Sequence, residues 1–482
     1  MNSASRVAKA HSRVPIVLAL LSFHLLWPQS ECQAATYYVD GANRAAQDSN
    51  PGTEAQPWKT INKATGTVQA GDTVLVKAGV YRELVALWHA GTAARPITIA
   101  AYPGHEGKAI INAAEPVTNW QRCSSARDCA GNPNWSHIYW ADVAALVRSH
   151  PDTSFAVRQV FQQGQLLPRS RFPDTRWSYP TTVTNPKTTF SDNRLTKPPG
   201  YFNGAVCHIK TAQWRIDQIP IASHSGTTIV LAANVNIWYD ISTRFGYYIT
   251  SIVGEINAEG EWAYDAASKR IYLWPRGGTP EGVEFSYRKN CLRTHDNIAY
   301  TIVRGLTMRY AYEHALWLYL ANNMTIENNT IEYAVRYGIE LQSTFGPCSD
   351  NQILRNTVKY CGFRAINVDS AAERCNIEGN YVYAMGVEYY GEDLLHGRGE
   401  GIYVVGPHAR VYGNRIDRTG CGGVALHGEA LNREVCYNYV TNSGLALADI
   451  SGIYMAGRTE KSDTDYIHHN IVEDTPGCQT ME

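Results

Sequence analysis

An asparagine recurs through the C-terminal half of this chain at intervals too short for separate domains and too regular for loops. Six times it stands two residues before Ile or Val: Asn329 before Ile331, Asn356 before Val358, Asn380 before Val382, Asn414 before Ile416, Asn438 before Val440 and Asn470 before Val472. The gaps between these asparagines are 27, 24, 34, 24 and 32 residues. A second apolar stretch follows each of the first five: Gly338-Ile339-Glu340-Leu341, Ala365-Ile366-Asn367-Val368, Gly401-Ile402-Tyr403-Val404, Gly423-Val424-Ala425-Leu426 and Gly452-Ile453-Tyr454-Met455. It starts nine residues after the Asn in three repeats, and 21 and 14 residues after it in the other two, which therefore carry insertions of 12 and 5. A repeat of this size cannot bury its own apolar face and must stack on its neighbours. The strands are short, β-branched and alternating, with no helical stretch between them. The expected fold class is all-β, a parallel β-helix with coils about 4.8 Å apart. Asn at a fixed place in each coil suits a turn, because it tolerates the left-handed conformation and its amide can bond from coil to coil.

The N-terminus reads as a signal peptide over residues 1–34. Arg6, Lys9 and Arg13 precede an apolar run from Val14 to Trp27, and small residues follow at Ala34 and Ala35, where cleavage is expected. The run is too short for a comfortable membrane span. A secreted or periplasmic location follows, and with it an environment that permits disulfides. Cys123 and Cys129 are the best local pair; Cys361, Cys375, Cys421 and Cys436 lie along the coils as buried thiols or disulfides. With 43 basic and 44 acidic residues, the chain gives no reason to expect a nucleic-acid partner, and a strongly polyanionic substrate is disfavoured. No cofactor motif and no metal-spaced Cys or His cluster is visible. A monomer is expected.

Residues 35–113 contain Tyr37-Tyr38-Val39-Asp40-Gly41, Asn50-Pro51-Gly52-Thr53, Pro57-Trp58-Lys59-Thr60-Ile61, Ala70-Gly71-Asp72-Thr73-Val74-Leu75-Val76, Gly79-Val80-Tyr81 and Ile97-Thr98-Ile99. This pattern closely resembles the N-terminal cap and first coils of secreted right-handed parallel β-helix proteins, many of them carbohydrate-active. The resemblance implies a short helix within 58–68 closing the open end of the solenoid, where strand edges would otherwise be bare. Residues 114–290 break the rhythm and read as an all-β insertion packed against the first coils. Its strands are expected at 115–120, 140–143, 227–231, 237–239, 261–265 and 270–274, with a hairpin turn over 265–268. The arrangement resembles that of β-xylosidase-type and fucosidase-like β-helix glycosidases. Residues 291–482 carry the coils, from a first strand over 302–306. They stop with no recognisable C-terminal cap, which implies either a truncated chain or a cap without a familiar pattern.

Alignment of the second stretches stacks outward residues into columns. Two positions after the Gly or Ala stand Glu340, Asn367, Tyr403, Ala425 and Tyr454. Four positions after it stand Gln342, Asp369, Val405, His427 and Ala456. Both interrupted coils place an acid shortly before Gly-Ile-Tyr: Glu400 and Asp449. Loops on a rigid solenoid are where function concentrates. The longer insertion adds His396 and Arg398, and Arg458 follows the last of these strands.

Paired carboxylates suit glycoside hydrolysis, which needs one acid for the leaving oxygen and a second as nucleophile or base. The catalytic candidates are Glu400, Asp449, His427, Glu429 and Asp369. The substrate-binding candidates are Glu340, Asn367, Tyr403, Tyr454, His396, Arg398 and Arg458. Resemblance to the β-xylosidase-type enzymes implies functional acids at Glu400 and at the 427–429 strand end, but His427 stands where an Asp is anticipated. The expected function is hydrolysis of a polysaccharide or oligosaccharide. The alternatives are a polysaccharide lyase drawing on Arg398, His427, Tyr403 and Arg458, or a glycan-binding surface protein without catalysis. Each lone outward acid or His is also an ordinary solvated residue of a solenoid, so the argument rests on the cluster.

Overall fold

The asparagine repeat is a hydrogen-bonded ladder. In a computed structural model, which describes residues 33–387, 399–429, 431–448, 450–457 and 463–477, each ladder amide donates to the Oδ1 of the next. The chain of bonds runs Asn329, Asn356, Asn380, Asn414, Asn438, Asn470, at 2.9–3.1 Å. Each Nδ2 also donates to a main-chain carbonyl, such as that of Ile326 for Asn356 and Ile353 for Asn380. Each Oδ1 from Asn356 to Asn470 also accepts the backbone N–H of the Asn one coil earlier. Asn is the one residue type besides Gln that can do all of this with its side chain.

The left-handed turn expected at the asparagines falls one residue earlier. Asn328, Arg355, Gly379, Gly413, Tyr437 and His469 have φ between 53° and 65°. Only two of these are Gly, so the ladder bonds on both sides must hold the others in a conformation that costs roughly 1 kcal/mol or more.

Three parallel sheets of ten, nine and eight strands form the solenoid. One coil contributes Thr325–Glu327 to the first, Thr330–Glu332 to the second and Tyr337–Gln342 to the third. From Thr325–Glu327 to Glu434–Cys436, strands of the first sheet keep one apolar inward residue each. Ile326, Ile353, Ile377, Val411 and Val435 are in register and buried. The second sheet adds Ile331, Val358, Val382, Ile416 and Val440, and the third adds Ile339, Ile366, Ile402 and Val424. Each such side chain contributes about 1.5–3 kcal/mol of burial, which ties every coil to two neighbours.

The solenoid starts at Thr36–Val39, which pairs in parallel with Thr73–Val76. Between them lies the short helix Ile61–Thr65, capped by the Thr60 side chain accepting from the Lys63 N–H. The chain leaves the stack after Ala109–Asn112 and rejoins it at Asn290–Thr294. The intervening residues form antiparallel sheets of four, seven and four strands. They meet the early coils through Phe161 stacked on Tyr310 at 3.8 Å and through the Arg82–Glu284 ion pair at 2.6 Å. The expected hairpin joins Trp262–Asp265 to Arg270–Leu273. Residues 237–239 are a turn rather than a strand, with Ile237 and Trp238 facing solvent. Cys123 and Cys129 are disulfide-bonded, whereas Cys361, Cys375, Cys421 and Cys436 are buried thiols. No helix among the described residues is long and apolar enough to cross a membrane.

Candidate active site

On a solenoid, outward side chains ordinarily face water. On the third sheet several do not. Trp317, Glu340, Asn367, Tyr403, Ala425 and Tyr454 stand in one outward column. A second column holds His314, Tyr337 and Arg364, and Glu400 continues it in the next coil. Yet Glu340 is 4% exposed, Asn367 5%, Arg364 8% and Glu400 2%. The insertion sends a hairpin, Val206–Ala212 and Arg215–Ser225, across this face. At its tip the Gln213 carbonyl accepts the Ala448 N–H at 3.1 Å. Just beyond the tip, Ile216 packs with Cys421 and Leu447.

Burying charge requires partners, and these residues supply them to one another. Arg364 donates from Nε to Glu400 Oε2 at 3.1 Å and from Nη1 to Asn367 Oδ1 at 2.7 Å. Its guanidinium lies over the Tyr403 ring, 3.3 Å from the centroid. Burial works against that charge, but Glu400 outweighs it and the Arg364 pKa rises above its ordinary value. Glu340 pairs with His314. Burial pushes the Tyr337 hydroxyl up to about 12, so it stays protonated.

A cavity of about 440 Å³ opens beside this network, lined by Trp214, Glu400, Ala425, His427, Ile450 and Tyr454 among others. His427 stacks on Tyr403 with centroids 4.8 Å apart and lies 5.8 Å from the Tyr454 ring. Glu400 enters this space with Oε2 held by Arg364. Its Oε1 makes no hydrogen bond to the described residues. An oriented carboxyl with one open oxygen, in a pocket lined by aromatic rings, is suited to proton transfer with a bound ligand.

The structure therefore gathers Glu400, Asn367, Tyr403, His427 and Tyr454, and keeps Glu340 in the adjoining buried network. Asp369 is elsewhere. It follows the end of the strand Arg364–Val368, with Oδ1 bound to the Ser370 N–H, and is not among the residues that line the cavity with Glu400. Glu429 is half-buried after the His427 strand, and its carbonyl accepts from Arg433. Asp449, His396, Arg398 and Arg458 lie outside the described residues.

Three contributors escaped the sequence reading. Arg364 holds the same offset before Ala365-Ile366 that Glu400 holds before Gly401-Ile402, a signal that was available. Tyr337 shares that offset. Trp214 has no signal in the repeats, because it arrives from the insertion. A group of side chains with metal-ligand chemistry also lies on the first sheet. Register sets Cys436 beside His468, and with Glu434 their ligand atoms lie within 4.8 Å of one another. Arg410 already donates to Glu434 at 3.0 Å.

A family profile described as "Right handed beta helix region" matches residues 264–395. A solved structure described as "Glycoside hydrolase" superposes with a TM-score of 0.58 at 13% identity, covering 92% of this chain and 97% of that one. A complex of XylC with xylose superposes at 0.53 and 18% identity, covering 88% and 70%. Among curated sequences, the uncharacterized protein YwoF of Bacillus subtilis (strain 168) is 35% identical over 72 residues, which spans 15% of this chain and 15% of that protein. Profile, superpositions and ladder agree on the architecture: the chain is a right-handed parallel β-helix protein with an antiparallel β insertion.

Proposed function

We propose that this protein is an exported glycoside hydrolase acting on an oligosaccharide or polysaccharide. One observation carries the reading: Glu400 is buried, oriented by Arg364 and open at one oxygen toward an aromatic-walled cavity. Glu400 is the general acid that protonates the leaving glycosidic oxygen. Asp449, the sequence neighbour of the cavity-lining Ile450, is our candidate for the second carboxylate, as nucleophile or as base to a water. Trp214, His427 and Tyr454 supply the ring-lined wall against which a sugar stacks. The two superposable structures, a glycoside hydrolase and a xylose complex, support the carbohydrate class.

The competing reaction is β-elimination, with Tyr403 or His427 as base and Arg364 neutralising a uronate. Its weakness is that it leaves the buried, Arg364-held Glu400 without a part in the reaction. The test is a screen of neutral and acidic plant and algal polysaccharides. Hydrolysis releases reducing ends without new ultraviolet absorbance; elimination creates an absorbing double bond. On a substrate so identified, Glu400→Gln and Asp449→Asn should each lower turnover on the order of a thousandfold while leaving the far-ultraviolet circular dichroism unchanged. Full activity in both variants overturns the assignment, and absence of either product favours a binding protein.

A further inference from the structure

A second cavity, of about 400 Å³, adjoins the first. It is lined by Trp214, Arg215, Asn236, Trp238, Tyr239, Tyr337, Phe363 and Arg364. The two are physically linked. Trp214 belongs to both walls, and Arg364 of the second holds Glu400 of the first. The second cavity joins aromatic rings to two guanidinium groups, each fixed from behind. Arg215 donates from Nε and Nη2 to the buried Asp217 at 2.8 and 2.7 Å. The Arg364 side chain is 9% exposed, with Nε and Nη1 committed as above. Its Nη2 makes no hydrogen bond to the described residues. No carboxylate lines the cavity among them. Arg364 thus lines the cavity with one guanidinium nitrogen not committed to a neighbour, a donor that a ligand's acceptor can take up. Planar guanidinium donors match a carboxylate in both shape and charge, and Trp214, Trp238 and Tyr239 offer faces for a sugar ring.

We propose that this second cavity is a subsite for a sugar unit bearing a carboxylate, a hexuronic acid, next to the unit cleaved at Glu400. The substrate is then an acidic oligosaccharide with a single anionic unit at this position, in keeping with a nearly neutral chain. The inference takes the first cavity as the place of cleavage, and to that extent rests on the hydrolase reading.

The test measures binding without turnover. D-Glucuronate, D-glucose and inorganic sulfate are titrated into the full wild-type chain by calorimetry. Glucuronate should bind at least about tenfold more tightly than glucose, and more tightly than sulfate. The preference should shrink in about 0.5 M salt and fall below about twofold in Arg215→Gln, whose fold is checked by circular dichroism. Equal affinity for glucuronate and glucose overturns the proposal. So does sulfate binding as tightly as glucuronate, which marks a general anion site. A natively folded Arg215→Gln that keeps the full preference overturns it as well. If the preference holds while no polysaccharide is cleaved, the hydrolase reading fails and the subsite stands.

Discussion

Asn380→Ala isolates what one rung of the ladder contributes. The side chain makes five hydrogen bonds. Oδ1 accepts from the Asn356 backbone N–H at 2.9 Å and from Asn356 Nδ2 at 3.1 Å; Nδ2 donates to the Ile353 carbonyl at 2.8 Å, to the Glu378 carbonyl at 3.2 Å and to Asn414 Oδ1 at 3.0 Å. Three of the partners keep other bonds after truncation. Asn356 Nδ2 still reaches the Ile326 carbonyl, the Glu378 carbonyl still accepts the Arg355 N–H, and Asn414 Oδ1 still accepts the Asn380 backbone N–H. The other two, the Asn356 N–H and the Ile353 carbonyl, lose the ladder bond inside a dry stack. At about 1–3 kcal/mol for each buried polar group left unsatisfied, the cost is about 4 kcal/mol. Asn470→Ala removes the corresponding bonds, except the onward one to a further Asn, where the residue is half-buried and water can substitute, so its cost should be about 1 kcal/mol. Urea unfolding followed by circular dichroism gives both values, and amide exchange should speed up selectively at Asn356. If Asn380→Ala costs no more than Asn470→Ala, the ladder is a packing coincidence and the bond-by-bond argument fails.

Two further expectations concern the coils around the site. Arg433 is almost wholly buried, donating to the carbonyls of Val404, His427 and Glu429 and pairing with Asp465 at 2.5 Å. Burial pushes the Asp465 carboxyl up, but the Arg433 hydrogen bonds outweigh it and hold the pKa below the usual carboxylate value. Its stabilisation is therefore present above the unfolded-state pKa of about 3.9 and is lost as pH falls through the depressed folded value. Asp465→Asn should cost about 3 kcal/mol at neutral pH by leaving a buried guanidinium unpaired and should flatten the acid limb of the melting temperature; an unchanged limb refutes the assignment. Trp214→Ala strips a wall from both cavities, and should raise KM on the order of tenfold with little change in melting temperature. A variant that instead lowers kcat alone would place Trp214 in the chemistry rather than in binding.

What could be read in the sequence follows from what repeats. Ladder asparagines are legible because each must offer the same donor and acceptor to its neighbours. Strands of the second sheet are legible because each follows a ladder Asn, and those of the third through their paired apolar residues. Those of the first sheet are not: Thr325–Glu327, Gln352–Leu354 and Asn376–Glu378 carry one inward residue each and follow no ladder Asn. The left-handed residues were misplaced by one because tertiary bonding, not side-chain preference, sets them at Arg355, Tyr437 and His469. For the candidate site, Glu400, Tyr403 and His427 stand out in the sequence by column and interruption. The burial of that face does not, because the cover comes from residues near 213 that share no pattern with the coils.

The hairpin tip also constrains how such a molecule can change. A solenoid tolerates gain or loss of whole coils at little local cost, since every junction is alike. Here the bond between Gln213 and Ala448 works as a strut of fixed length, with one foot on the early coils and the other on late ones. Removing one coil between Asn290 and Cys421 would slide the late coils by about 4.8 Å beneath Trp214, leaving the solenoid intact but setting the tip over the wrong residues. Coil number in that span is therefore held to one value by the strut, while coils beyond its far foot are free of this restraint.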